Sequence, residues 1–157
     1  MKIFTHINET STPLEVETLS LAFDDRKRGR LKAVSDSGIE VGIQIERGLI
    51  LRDGTILTNN AGEQLLIIAL AEKVSTAKIN DATLFARASY HLGNRHVSLQ
   101  IGSGFLRYQQ DYVLDDMLHG LGIHVEHELL PFEPESGAYT KGHSLSHTHD
   151  DNCDHAH

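Results

Sequence analysis

The last fifteen residues, HSLSHTHDDNCDHAH from His143 to His157, hold five of the chain's eleven histidines, three aspartates and its only cysteine. Neutral imidazole and thiolate suit late first-row divalent metals. A flexible set made of His143, His147, His149, Cys153, His155 and His157 therefore favours nickel, copper or zinc over magnesium or calcium. An expression tag is an unbroken histidine run, whereas these imidazoles alternate with Ser, Thr, Asp and Cys. The segment has too little apolar content to pack, so it is expected to be disordered without metal. Such a tail could capture metal and hand it on.

The second candidate is YHLGNRHVSLQI, residues 90–101, in which His91 falls on a predicted helix and His96 follows Gly93 at its end. One imidazole holds metal poorly. A two-fold dimer would bring two copies of one residue to the axis and make a shared site from a single position. His96, in a loop, is better placed for this than His91, which on a helix face is expected to pack. The stretch HGLGIHVEHE offers His119, His124 and His127 with Glu126 and Glu128, but it lacks the HExxH spacing that puts two zinc ligands and a base on one helix. On a strand, His124 and Glu126 share one face and His127 takes the other. A metallohydrolase would need three ligands and a general base in one folded pocket, and no residue set here supplies them. There is no GxSxG elbow, Walker loop or dinucleotide fingerprint.

The elements that must hold these residues change character near Lys73. Before it come short apolar segments parted by turns: KIFTH, VETLSLAF, RLKAV, IEVGIQI, TILT and EQLLIIAL. Asp36, Ser37 and Gly38 mark a hairpin, and Ile39, Val41, Ile43 and Ile45 alternate with smaller or polar neighbours. Between these strands, DDRKRGR reads as a solvated connection. After Lys73 the strand VSTAKI leads to a helix capped by Asn80 or Asp81 and closed by Gly93. The strands HVSLQI and FLRYQ follow, then a helix capped by Asp111 with Val113, Leu114, Met117, Leu118 and Leu121 at helical spacing, and finally the strand IHVEHELLPF. The order β-α-β-β-α-β is that of a ferredoxin-like unit with both helices on one sheet face. The fold class is thus α+β: a small all-β domain over residues 1–72, a ferredoxin-like domain over 73–139, and the histidine-rich tail over 140–157.

With 157 residues and a net charge of -8, the chain has too few basic residues to neutralise many phosphates, which argues against nucleic acid. The opening MKIFTHINETS has no signal-peptide core, and the longest apolar run, LLIIALA, is far short of the ~20 residues that span a bilayer. No membrane association is expected. A cytoplasmic protein is, and a single cysteine suits that reducing compartment.

The blocks YHLGNRH, LRYQQDYVLDDMLHGLG and LPFEPESGAY, followed by a histidine-rich end, resemble the urease accessory protein UreE family across essentially the whole chain. The resemblance implies a homodimeric nickel metallochaperone, without enzymatic turnover, that delivers Ni(II) to apo-urease through the GTPase UreG. It also implies an N-terminal domain likened to a chaperone peptide-binding fold and a ferredoxin-like metal-binding domain. The histidine of GNRH, here His96, would be the interfacial ligand contributed by both protomers, and the tail would add further ligands. Zn(II) or Cu(II) could occupy the same imidazoles. Where some members carry peripheral histidines after LRY, this chain has Gln109, Gln110 and Tyr112, which argues against those sites. The alternative is a passive nickel, zinc or copper buffer, which would use the tail but not the GNRH site.

Overall fold

The structure is a computed structural model that describes residues 1–8 and 15–137. Two small sheets build the first half. In one, β1 (Lys2–Phe4) runs parallel to β5 (Glu40–Gln44), which pairs antiparallel with β4 (Arg30–Val34). In the other, β2 (His6–Asn8), β6 (Ile56–Thr58), β7 (Gln64–Ala69) and β3 (Glu17–Leu21) lie in that order, with β3 parallel to β7. Side chains from both sheets meet in one core, including Phe4, Leu19, Val41, Ile43, Leu65 and Ile67. The alternation seen in IEVGIQI is what aims Val41 and Ile43 inward. The hairpin turn ends on Gly38, whose φ of +96° is open to glycine at little cost. Beside it, the Asp36 carboxylate accepts hydrogen bonds from Thr18 Oγ1 at 2.6 Å and Ser20 Oγ at 3.0 Å, which ties the turn of one sheet to β3 of the other.

Two expected strands differ from what folds. KIFTH is not one strand: Phe4 closes β1 in the first sheet and His6 opens β2 in the second, so the chain changes sheet at Thr5. VETLSLAF ends at Leu21, because Phe23 turns into a one-turn helix, α1 (Phe23–Arg26), and buries its ring.

In the second half, β8 (Ala71–Lys78), α2 (Ala82–Asn94), β9 (Gln100–Gly102), β10 (Phe105–Gln109), α3 (Tyr112–Gly120) and β11 (Val125–Pro131) follow one another. The sheet order is β11-β8-β10-β9 and every pairing is antiparallel, the ferredoxin-like arrangement expected from the element order. Ala88 and Leu92 of α2 and Leu114 and Leu118 of α3 share a core with Ala77, Leu106 and Tyr108 of the sheet, so both helices cover one face. Asp81 caps α2 by accepting from the Leu84 amide, and Asp111 caps α3 by accepting from Val113 and Leu114. At the hairpin between β9 and β10 the Phe105 ring lies over Gly102, where a Cβ would stand 2.0 Å from a ring carbon. A side chain at that position would have to push the Phe105 ring aside.

The stretch DDRKRGR is not simply a solvated connection. Arg26 is fully buried, and its guanidinium crosses to the other half of the chain. It donates to Leu21 O and Leu51 O, each at 3.1 Å, and also to Phe132 O and the Glu133 carboxylate just beyond β11. Arg52 stands 3.6 Å from the same carboxylate. Around this pair Phe23 and Phe132 meet edge to face at 5.4 Å, packed with Val74, Ile50 and Leu130. Charge pattern alone does not reveal this, because only one of the run's four basic residues turns inward.

Candidate metal site

His96 sits where α2 gives way to the chain leading into β9. Its imidazole is exposed, and its backbone takes φ 56°, making it the only non-glycine residue with positive φ among those described. The expected terminator, Gly93, does not play that part: α2 runs through it to Asn94, and the left-handed step falls on His96 instead. The backbone amides of Arg95 and His96 close the helix end by donating to Leu92 O at 3.1 Å and Gly93 O at 3.0 Å. A left-handed L-residue costs on the order of 1–2 kcal/mol, and histidine is among the residues enriched there. The loop therefore holds an imidazole out to solvent at a backbone position that glycine would occupy more cheaply.

His91 does not pack as expected. It is exposed on α2, edge to face with the Tyr90 ring at 5.3 Å, while Leu92 takes the buried position on the helix. Strand β9 begins only at Gln100, so residues 97–99 of the expected strand HVSLQI form the loop that joins His96 to the sheet. That loop is fixed to the chain beyond β11, because Leu99 O accepts from the Glu135 amide at 2.8 Å and Gln100 Oε1 from the Glu133 amide at 3.1 Å. The route from the body to the histidine-rich end thus starts three residues from His96. His143, His147, His149, Cys153, His155 and His157 lie outside the described residues. Among the described residues, no three His, Cys, Asp or Glu side chains gather into a metal-binding group.

These observations gain a frame from related proteins. Residues 3–70 match the sequence model described as the N-terminal domain of the UreE urease accessory protein, and residues 72–157 match that of its C-terminal domain. The chain belongs to the UreE urease accessory protein family. It is 54% identical over 123 residues to the urease accessory protein UreE of Pseudomonas putida strain W619, covering 78% of this chain and 76% of the relative. The corresponding protein of Alkalilimnicola ehrlichii is 55% identical over 122 residues, 78% of this chain and 75% of its own. That of Escherichia coli O157:H7 is 45% identical over 141 residues, 89% of this chain and 90% of its own. In this family member no described helix is long and apolar enough to cross a membrane.

The histidines of HGLGIHVEHE separate as the strand period requires. His124, in the residue just before β11, has its Nε2 4.0 Å from Oε1 of Glu126 on the strand, whereas His127 Nε2 meets Asp115 Oδ2 on α3 at 2.7 Å. Tyr108, fully buried on β10, donates its hydroxyl to Asp115 Oδ1 at 2.5 Å. Sequence reading passed over this trio, and the only trace of it is that Tyr108 and Asp115 are each polar within apolar patterns. Burial pushes the Tyr108 hydroxyl far up, and the Asp115 carboxylate beside it adds to the shift. Burial alone would raise Asp115, but hydrogen bonds from Tyr108 and His127 outweigh it and hold the carboxyl below its usual range. The trio fastens β10, α3 and β11 together and is a structural clamp.

Two results follow from it. Tyr108→Phe is expected to cost about 1–2 kcal/mol in urea unfolding, since it strips a donor from a mostly buried carboxylate. Because the folded pKa of Asp115 is depressed, its contribution to stability is present above the unfolded value of ~3.9 and disappears as pH falls through the folded value. Asp115→Asn should therefore be destabilising at neutral pH, and its deficit should shrink as pH drops below about 4. A deficit independent of pH would mean that charge on Asp115 is unimportant to the clamp.

Proposed function

We propose that this protein is a homodimeric metallochaperone, without catalytic turnover, that carries Ni(II) as cargo to apo-urease through the GTPase UreG in the cytoplasm. The observation that carries the reading is His96: an exposed imidazole, held in a left-handed backbone step at the end of α2, in a chain of the urease accessory family. A single imidazole per chain becomes a two-imidazole site when a two-fold axis passes beside it. The remaining coordination positions are open to water or to tail ligands.

The tail's starting point favours this division of labour. His143 lies eight positions beyond Glu135, which is bonded to Leu99, so when extended that stretch reaches up to about 28 Å. Tail imidazoles tethered at that distance act at roughly millimolar effective concentration around His96. Transfer then proceeds by ligand exchange: a tail imidazole or Cys153 replaces water on the metal, and the acceptor's ligands replace the tail in turn. A partly open site of this kind exchanges more readily than a closed four-ligand structural site. Zn(II) and Cu(II) bind the same donors, copper more tightly, so selection for nickel falls to the acceptor and to metal supply.

Equilibrium Ni titration of the intact chain and of a chain ended after Gly142 tests the reading. The shortened protein should bind fewer Ni ions per dimer and keep one tight site. If it bound none, the tail alone would hold the metal and a storage role would replace delivery.

A further inference from the structure

The left-handed step at His96 is a conformation that an L-residue holds only where the chain on both sides is fixed. On one side the end of α2 fixes it, through the Arg95 and His96 amides. On the other, residues 97–99 belong to no strand, because β9 begins at Gln100. Val97 packs partly against the ferredoxin-like core and Leu99 is buried in it, but apolar contacts are not directional and do not set the course of the loop away from His96. Direction has to come from hydrogen bonds, and these reach the loop from the far edge of the sheet.

The sheet order β11-β8-β10-β9 puts β11 and β9 on opposite edges. The chain leaving β11 nevertheless reaches β9, by crossing the face that carries no helix. Val74 of β8 and Arg107 of β10 lie on that face, since Ala77, Leu106 and Tyr108 point into the helix-covered core and side chains alternate along a strand. Phe132 packs with Val74, and Gln100, paired with Arg107, turns its side chain the same way. Gln100 Oε1 accepts from the Glu133 amide at 3.1 Å, and two residues on, the Glu135 amide donates to Leu99 O at 2.8 Å. Between the two bonds Pro134 is buried and has no N–H of its own to satisfy. The crossing segment is itself held, because Arg26 donates to Phe132 O and to the Glu133 carboxylate. Past the end of β11 the Glu133 amide has no strand to pair with among the described residues, so the Gln100 side chain stands in for a backbone carbonyl.

Taking His96 as the shared metal ligand proposed above, we infer that Gln100 is its positioning residue: by latching the crossing segment to the start of β9, it fixes the loop of residues 97–99 and so the aim of the His96 imidazole. The same latch brings the chain at Glu135 to the His96 side of the sheet, although β11 lies at the other edge. Gln100 touches no metal. Its effect passes through the loop, in the manner of outer residues that orient a ligating histidine. A merely structural role, satisfying one amide, would cost some stability and leave His96 where it is.

The test compares full-length Gln100→Leu, which loses the acceptor, with Gln100→Glu, which keeps an accepting oxygen. In metal-free protein, hydrogen exchange at the Arg95 and His96 amides, followed by NMR, should quicken about tenfold in Gln100→Leu, the scale set by losing the acceptor of a part-buried amide. It should stay near the parental rate in Gln100→Glu, and amides of β8 and β10 should be unchanged in both. With one Ni loaded per two chains, release to a coloured chelator should be about tenfold faster in Gln100→Leu alone. Parental exchange at Arg95 and His96 in Gln100→Leu, equal quickening in both variants, or quickening spread over β8 and β10 would overturn the inference. So would unaltered Ni release from a Gln100→Leu protein whose loop amides exchange faster. A parent that takes up no Ni would instead sink the nickel reading, and the exchange rates would still decide whether Gln100 fixes the loop.

Discussion

In a chain ended after Gly142, His96→Gly is expected to abolish tight Ni binding while leaving the fold at least as stable as its parent. The substitution removes two imidazoles per dimer, and no other donor stands in for them on that loop, whereas any one tail histidine has four others to replace it. Loss at His96 should thus exceed loss at any single tail position. The stability side of the prediction comes from the backbone. His96 holds φ 56°, a conformation that costs an L-residue on the order of 1–2 kcal/mol and glycine almost nothing. The greater entropy of glycine in the unfolded chain takes back about 0.5–1 kcal/mol. A net change between neutral and about 1 kcal/mol stabilising should follow, read by urea unfolding. His96→Ala keeps the strain and should lose binding without that gain. A glycine variant that binds Ni like its parent would end the case for His96, and one that unfolds easily would mean that the imidazole itself supports the loop.

Arg26→Ala should produce the largest stability loss of any single change outside the two cores, about 3–5 kcal/mol. The guanidinium satisfies three carbonyls, Leu21 O, Leu51 O and Phe132 O, together with the Glu133 carboxylate. Removing it strands these acceptors in a site that also loses the packing of a fully buried side chain. Glu133→Gln keeps an acceptor for Arg26, and because Glu133 is 26% exposed, water can take up part of the deficit. Its loss should be clearly smaller. Differential scanning calorimetry adds a second readout: with the junction broken, the N-terminal and ferredoxin-like parts should melt as two transitions where the parent gives one. A parent-like single transition in Arg26→Ala would mean that Phe23 and Phe132 hold the halves together without it.

The ferredoxin-like half was legible because its signals are local and mutually consistent. Asp81 and Asp111 cap the helices, Leu92, Leu114 and Leu118 recur at helical spacing, and FLRYQ matches β10 residue for residue. What sequence could not supply were decisions made by partners distant along the chain. Thr5 splits one apolar run between two sheets because Phe4 and His6 pair with different strands, and Phe23 leaves its strand pattern to meet Phe132 more than a hundred residues away. Arg26 sits in a charged run whose composition describes a surface, and only its buried acceptors show otherwise. At the candidate site, the type of His96 and its place after a helix could be read directly. Its left-handed backbone could not, since Gly93 three residues earlier was the natural terminator on propensity alone. The Tyr108, Asp115 and His127 clamp stayed hidden because it joins three elements through one mostly buried carboxylate.

On the proposed function, two copies of His96 share one metal. Native mass spectrometry of the chain ended after Gly142, titrated with Ni(II), measures this directly by counting chains and metal ions in the same particle. A two-chain species that takes up one tightly held Ni is expected, and no such uptake in the His96→Gly variant. One Ni held by each single chain, or a dimer that takes up none, would contradict it.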